Sequence, residues 1–520
     1  MRRYRLKRRQ TMTRACFLTV LLGALLSCSS QAFAMEVVRV DATAPGRPFP
    51  HFWEQMFGSG QASLAMRADY LRDLRAVKQI TNFRYDRFHG IFDRGVGLYT
   101  RNYQGDPVYN FSNVDTIYDG LLKNGVMPFV ELGFMPLPIA ANPDDLYGFW
   151  YRPNVSPPLS YAKWAAVVRT FARHLIARYG INEVSKWYFE VWNEPNETFR
   201  GDTRQQQRTY FGLYDSTART LKSVSPRLRV GGPATAHAAW IRAFLRHVAA
   251  HHVPIDFIST HAYADDGTVS LFGRKRQVPY NDRVCAAVRR VRREIHQSAL
   301  PDLPLFLTEW SVMGENNARD TTYVGPAVAD TIRQCDGSVQ MMSFWTFTDV
   351  FQEDGPNPGP FTGGFGLRAY GGINKPSYYA FALLHELGHV RLSNPSHNAI
   401  VTRTRDGNLV IALWNLVDPG IKGTPEVLHL EIAGVPMDAP VTIERVDNHH
   451  GNVLPVYRAM GSPSYPTRKQ VAQMNAATAL PPPQVVHLRE GSLSLTVQPN
   501  ALFLLRVPDV RGRASGMAGR

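Results

Sequence analysis

From about residue 50 to residue 390, short apolar runs alternate with longer stretches whose apolar positions recur every three or four residues. A short apolar run fits a buried strand, and the three-to-four spacing fits a helix with one face turned inward. The pattern predicts strands at 51–57, 82–88, 127–132, 187–192, 228–231, 256–260, 305–308 and 341–347. Between and after them it predicts helices at 63–79, 114–124, 161–179, 205–224, 238–251, 283–296, 324–334 and 377–387. The 161–179 stretch is the clearest, with Trp164, Val167, Val168, Phe171, Leu175 and Ile176 on one face. Eight strand–helix pairs in sequence predict an α/β protein, a (β/α)8 TIM barrel spanning 35–388.

Beyond residue 389 the rhythm changes. Strand patterns at 399–402, 409–414, 427–432, 441–446, 484–488 and 493–505 are separated by turn residues, and Asp406-Gly407-Asn408 suits a hairpin turn. A C-terminal β-sandwich accessory domain is expected over 389–510, joined by a strand near 37–40 within the segment 35–48. Residues 511–520 read as a flexible tail.

Composition alters this little at the core and more at the N-terminus. The 520 residues are 44% hydrophobic and 19% charged, ordinary for a globular chain and contrary to wholesale disorder. Residues 1–34 carry seven basic residues and no acid, then an apolar run at 15–26 too short to span a bilayer. Ala32-Phe33-Ala34 suits signal-peptide cleavage before Met35, and Leu25-Leu26-Ser27-Cys28 offers the rival reading of a lipoprotein box. Either implies export, to the periplasm or beyond, with no integral membrane segment in the mature chain. The net charge of +15 falls to +8 without the leader, with no dense basic run, so nucleic-acid binding has no support. Cys285 and Cys335 remain after the leader, and either a disulfide or two buried thiols fits them.

The chemistry sits where strands end. The apolar strand at 187–191 breaks into Trp192-Asn193-Glu194-Pro195-Asn196, and Pro304 to Trp310, PLFLTEW, repeats the design with Glu309. In such barrels catalytic side chains stand at the C-terminal ends of strands, here the fourth and the seventh. Glycoside hydrolysis needs two carboxyl groups, one to protonate the leaving oxygen and one to act on the anomeric carbon or on water. Glu194, desolvated against Trp192, is expected to keep a proton. Glu309 has to be ionised to attack and needs donors such as Arg87 or a tyrosine. For either glutamate alone, a buried salt bridge is the ordinary alternative.

WYFEVWNEPN with LFLTEW resembles clan A of the glycoside hydrolases. Arg87-Phe88-His89-Gly90, the run Pro128 to Pro136, Val230 to Ala234, Ser259 to Tyr263 and Phe344 to Asp349 narrow the resemblance to glycoside hydrolase family 39. The similarity extends through Asn448 to Asn452 into the sandwich. That family holds β-xylosidases and α-L-iduronidases. The resemblance implies Glu194 as general acid/base and Glu309 as nucleophile of a retaining double displacement. It gives Asn193 the sugar 2-hydroxyl, lines the subsite with Arg87, His89, His261, Tyr263 and Trp345, and puts Glu353 on a distal hydroxyl. Glu131, also at a strand end, reads as structural. One departure concerns the sugar: Gln352 stands where xylosidase-like members are expected to carry a glutamate.

His385-Glu386-Leu387-Gly388-His389 fits the zinc-protease pattern on a helix, but lies at the end of the last barrel helix. No metal and no cofactor are expected at the site. The reading is an exo-acting, β-xylosidase-like glycosidase of oligosaccharide or polysaccharide substrates, with the two carboxyl groups roughly 5 Å apart. An endo-acting polysaccharide hydrolase and a non-catalytic carbohydrate-binding protein are the alternatives.

Overall fold

The computed structural model describes residues 35–314 and 317–509. The expected leader with Cys28, and the tail 511–520, lie outside them. Eight parallel strands close a barrel: Met56–Gln61, Tyr85–His89, Met127–Leu132, Tyr188–Val191, Arg229–Thr235, Phe257–His261, Leu305–Trp310 and Met341–Phe344. Ser343 and Phe344 of the eighth pair with Met56 and Phe57 of the first.

Period-two alternation explains how charged residues share strands with aromatics. Along Tyr85–His89 every residue is buried, because the barrel interior covers one face and helices the other. At the end where the strands begin, Met56, Tyr85, Phe129, Phe257, Phe306 and Met341 pack into one apolar cluster. Further along the same faces stand Arg87, Glu131 and Glu190, all buried. The barrel is sealed by aromatic rings at one end and holds its charges toward the other.

Helix Tyr161–Tyr179 runs as its pattern predicts, started by Ser160, whose side chain accepts from Lys163 N, and ended by Gly180 at φ 78°. Helices Arg283–His296 and Val324–Cys335 are joined by a Cys285–Cys335 disulfide, which resolves the pairing that the sequence leaves open.

Two expectations for barrel strands need correction. The first strand starts at Met56, and residues 51–55 form a turn under the barrel instead. His51 and Glu54 hydrogen-bond each other there at 2.8 Å, and Phe52 O accepts from Met342 N. The eighth ends at Phe344; beyond it Thr346 N and Asp349 N donate to Phe365 O and Arg368 O, drawing the chain across the barrel mouth.

Beyond two short hairpins, Tyr99–Arg101 with Pro107–Tyr109 and Arg368–Ala369 with Ile373–Asn374, the remaining strands form a seven-stranded and a three-stranded sheet. Met35–Asp41 pairs in parallel with Glu426–Ala433, and Arg47–Pro48 joins Val390–Arg391, so the N-terminal segment belongs to both sheets. Val38, Leu428 and Leu430 pack against Val401, Ile411 and Phe503 between the sheets. Ile400, Val410, Ala412 and Leu504 point the other way, into the core of the barrel helices. Strand Leu409–Asn415 is therefore buried at every residue. The strand expected at 493–505 is two strands, Ser492–Val497 and Ala501–Val507, in different sheets. Pro499 breaks the pairing, and Asn500 turns the corner at φ 58°. Helices Leu454–Ala459 and Arg468–Thr478, between strands, were not expected.

Candidate active site

Arg87 organises the barrel mouth. Its inward position on the second strand carries the guanidinium into the interior, fully buried. Nε donates to Glu190 at 2.7 Å, Nη1 to Glu309 at 2.7 Å and Nη2 to Asn193 Oδ1 at 2.9 Å, with Glu131 3.1 Å from Nη2. A planar fork of donors satisfies several acceptors at fixed angles, which a lysine could not do. Burial works against the charge, and the Glu190, Glu131 and Glu309 carboxylates outweigh it, holding the guanidinium above its ordinary range.

Glu309 lies at the end of the seventh strand with 6% of its side chain exposed. Besides Arg87, the Tyr263 hydroxyl donates to its other oxygen at 2.8 Å. Burial with Glu309 and Glu194 nearby raises that phenol well above its usual range, so it stays protonated as a donor. Donors therefore hold both oxygens of Glu309.

Glu194 is differently placed. Its backbone sits in the left-handed region at φ 45°, ψ 58°, at the cap of the short helix Pro195–Thr198. A non-glycine residue there costs about 1–3 kcal/mol, and such strain gathers at functional sites. Glu194 N donates to Ala234 O at 2.9 Å, fixing the turn. The side chain is 20% exposed, and its Oε1 lies 3.0 Å from His261 Nδ1. Burial pushes Glu194 up to about 7, against the pull of His89 and His237. Burial also pushes His261 down to about 4, although Glu309 pulls the other way. The neutral ring is therefore no permanent counter-ion for Glu194.

One oxygen of Glu194 and one of Glu309 lie within 4.8 Å, with His261 Nδ1 3.0 Å from Glu194 and 3.5 Å from Glu309. Three such ligand atoms could gather round a cation. Arg87 already holds a permanent positive charge 2.7 Å from Glu309, which opposes a second one there.

His89, at the end of the second strand, has Nδ1 2.5 Å from Glu131 and Nε2 3.3 Å from Glu353. Burial disfavours its charge, but the Glu131 carboxylate prevails and keeps the imidazolium well above the histidine range. Burial pushes Glu353 up to about 7, against the pull of His89. The Trp345 indole lies beside His89, ring centroids 4.9 Å apart, and over Gly58. A Cβ at position 58 would meet the indole at 2.1 Å, so glycine there makes room for it. Trp345 is only 2% exposed, a wall of the pocket rather than a lid.

All nine expected site residues, Arg87, His89, Asn193, Glu194, His261, Tyr263, Glu309, Trp345 and Glu353, thus meet at one barrel end. Glu131 is ion-paired to Arg87 and His89. Glu190 was missed, although its place two residues after Tyr188 turns it inward. The loop at 143–155 was missed as well: Trp150 N donates to Glu353 O at 2.6 Å, Phe149 stacks 5.9 Å from His89, and the Trp150 side chain stands 56% exposed. Only the run Phe149-Trp150-Tyr151 hints at it in the sequence.

The family model described as Glycosyl hydrolases family 39 matches residues 36–486. The chain belongs to glycosyl hydrolase family 39. It is a glycosidase, and its clan-A motifs are the strand ends just described. A β-xylosidase of Geobacillus stearothermophilus is 36% identical over 501 residues, covering 93% of this chain and 98% of that one. Among solved structures, a monomeric β-xylosidase from Caulobacter crescentus CB15 superposes with a TM-score of 0.81 at 33% identity, covering 91% of this chain and all of the other. The family 39 enzyme from Xanthomonas axonopodis pv. citri also gives 0.81, at 32% identity, covering 93% and 100%. Within this family 39 glycosidase, no helix among the described residues is long and apolar enough to cross a membrane.

Proposed function

We propose that this glycosidase is an exported, retaining, exo-acting β-xylosidase in which Glu194 is the acid/base and Glu309 the nucleophile. The close approach of the two carboxylates, one oxygen of each within 4.8 Å of the other and both within 3.5 Å of His261 Nδ1, carries the reading. Retaining enzymes hold their carboxyl groups about 5–5.5 Å apart, whereas inverting enzymes leave about 6.5–9.5 Å for a water.

The chemistry follows from the two environments. Arg87 and Tyr263 aim the Glu309 carboxylate while Glu194, raised to about 7, still carries a proton in a good fraction of molecules near neutrality. Glu309 attacks the anomeric carbon as Glu194 protonates the glycosidic oxygen, and the bond to the leaving alcohol breaks. Glu194, now a carboxylate, takes a proton from water as that water attacks the glycosyl–Glu309 ester, restoring both groups. Asn193, its Oδ1 fixed by Arg87, offers its NH2 to the 2-hydroxyl. His89 and Glu353 receive a hydroxyl at the closed end, and Trp345 the sugar face.

The β-xylosidase relatives support xylose as the sugar, and Gln352 is the residue that sets this rim apart. The basic leader and the Cys285–Cys335 disulfide support export, since disulfides persist in oxidising compartments. The test is turnover of residues 35–520 on aryl β-D-xyloside, α-L-arabinopyranoside, β-D-glucoside, β-D-galactoside and α-L-iduronide, with Glu309→Gln as control. Release from the xyloside, lost in the control, is expected. Silence across the panel with turnover of an intact polysaccharide would replace exo by endo action.

A further inference from the structure

At the barrel end opposite the glutamate pair, His51, Glu54 and His385 meet. His51 and Glu54 lie in the turn before the first strand, and His385 ends helix Pro376–His385. Glu54 is fully buried, and its carboxylate is shared by two rings. His51 Nδ1 lies 2.8 Å from Oε1, and His385 Nδ1 lies 3.0 Å from Oε1 and 2.8 Å from Oε2. The His389 ring is 4.7 Å from that of His51, centroid to centroid.

This cluster takes up the HExxH pattern without its usual geometry. The helix stops at His385, so His389 is not one helical turn above it. Glu386 is half exposed, 3.4 Å from Arg506, and the carboxylate comes instead from Glu54. Two further observations point to a ligand. His51 is 6% exposed and turns Nδ1 to Glu54, while its buried Nε2 has no hydrogen-bond partner among the described residues, so no donor there holds the ring proton on Nδ1 when an ion takes that nitrogen. The His385 side chain is 39% exposed, which gives an ion a way in.

We propose that His51, Glu54 and His385 bind a divalent transition-metal cation of the zinc type, remote from the catalytic glutamates. Two imidazoles and one carboxylate suit zinc or its neighbours rather than calcium or magnesium, which take oxygen ligands. The three ligand atoms lie within 4.8 Å of one another. A tetrahedral ion about 2.0–2.1 Å from each ligand spaces them roughly 3.3 Å apart, so the 2.8 Å contacts open by about half an ångström. Half-exposed His385 has room to move. On binding, the ion replaces the protons at both Nδ1 atoms: one leaves to solvent and that of His51 moves to Nε2, with the His389 ring beside it. His389 or a water completes the shell.

Such an ion clamps two parts of the fold together next to the sandwich. Phe49 N donates to His389 O, and Gly388 N donates to Thr402 Oγ1 in the seven-stranded sheet, both at 2.8 Å. The ion thus joins the approach to the first barrel strand to the last barrel helix, beside the point where the chain enters the sandwich.

The test uses chelator-treated protein of residues 35–520, titrated with zinc sulfate by calorimetry, with metal analysis after desalting and melting with and without zinc. One equivalent of zinc and a raised Tm are expected, with unchanged turnover of the aryl glycoside. Glu54→Gln and His385→Asn should each weaken zinc binding by more than the roughly 10–100-fold that loss of an outer-shell partner costs. His385→Asn removes a half-exposed ring, so it serves if Glu54→Gln fails to fold. No saturable zinc binding by the wild type, or equal binding by folded His385→Asn, would overturn the proposal.

Discussion

Glu194 and Glu309 end strands of similar sequence, an apolar run closing in a glutamate with a tryptophan beside it, and reach one cleft from opposite walls. Their surroundings differ. Glu309 is nearly enclosed and held by a guanidinium and a phenol, one on each oxygen. Glu194 stands on a strained turn, one-fifth exposed, with a neutral histidine as its near neighbour and burial pushing it up to about 7. A carboxylate fixed by donors is ready to attack, and one deprived of counter-charge is ready to carry a proton. The lesson is that the two roles come from what surrounds each glutamate.

Experiments can break or sharpen that contrast. Glu309→Gln should abolish double displacement, lowering kcat on an aryl glycoside by about 10⁴–10⁶-fold, the range seen when single members of a catalytic triad are removed. A residual rate within tenfold of wild type would remove Glu309 from that role. Glu194→Ala should cost roughly 10²–10⁴-fold on substrates with poor leaving groups and far less on activated aryl glycosides, because only the former need the acid. Added azide should then restore turnover and yield the glycosyl azide of retained configuration. An equal loss on both substrates, without azide rescue, would place Glu194 elsewhere in the cycle.

Tyr263→Phe removes one donor from Glu309 and leaves Arg87 in place. A hydrogen bond to a charged group is worth about 1.5–3 kcal/mol, so a fall in kcat of roughly 10–100-fold is expected, with the fold intact by circular dichroism. The smallest effect is in pH. Glu194 acts protonated, and burial raises it to about 7, so kcat/KM should fall as pH rises through about 7, by about tenfold per unit beyond. In Glu194→Ala that alkaline limb should vanish on an activated substrate. If it persists unchanged, another group sets it, and Glu353, also raised to about 7, is the next to mutate.

Much of this was legible along the chain. Helices Tyr161–Tyr179 and Arg283–His296 fall where the periodicity puts them, because each lays one apolar stripe on the barrel. The eight barrel strands show because both of their faces are covered. The strand bounds were less legible where bonds outside the barrel ladder divert the chain: His51 with Glu54 at the first strand, and the 345–349 backbone with the Phe365 and Arg368 carbonyls at the eighth. The sandwich misled at 493–505, where a single apolar pattern serves two sheets and only Pro499 and Asn500 mark the corner. At the site, Arg87, Glu194 and Glu309 could be named from motifs; Glu190 shows only by its inward place two residues after Tyr188, and the Phe149–Trp150 loop has nothing periodic to carry it.

By itself the sequence determined the barrel, its order of strands and the residues that end them, because periodicity of two and of about 3.6 is a local property of the chain. It also supplied two glutamates with the neighbours a glycosidase needs. Tertiary structure alone decided that Glu194 and Glu309, from the fourth and seventh strands, stand within 4.8 Å, and that Arg87 spans to Glu131, Glu190 and Glu309. It also brought His385 to Glu54 across more than three hundred residues. The physical reason is that a carboxyl group's proton affinity and aim depend on burial and on charges a few ångströms away. Those neighbours become neighbours only when the barrel closes.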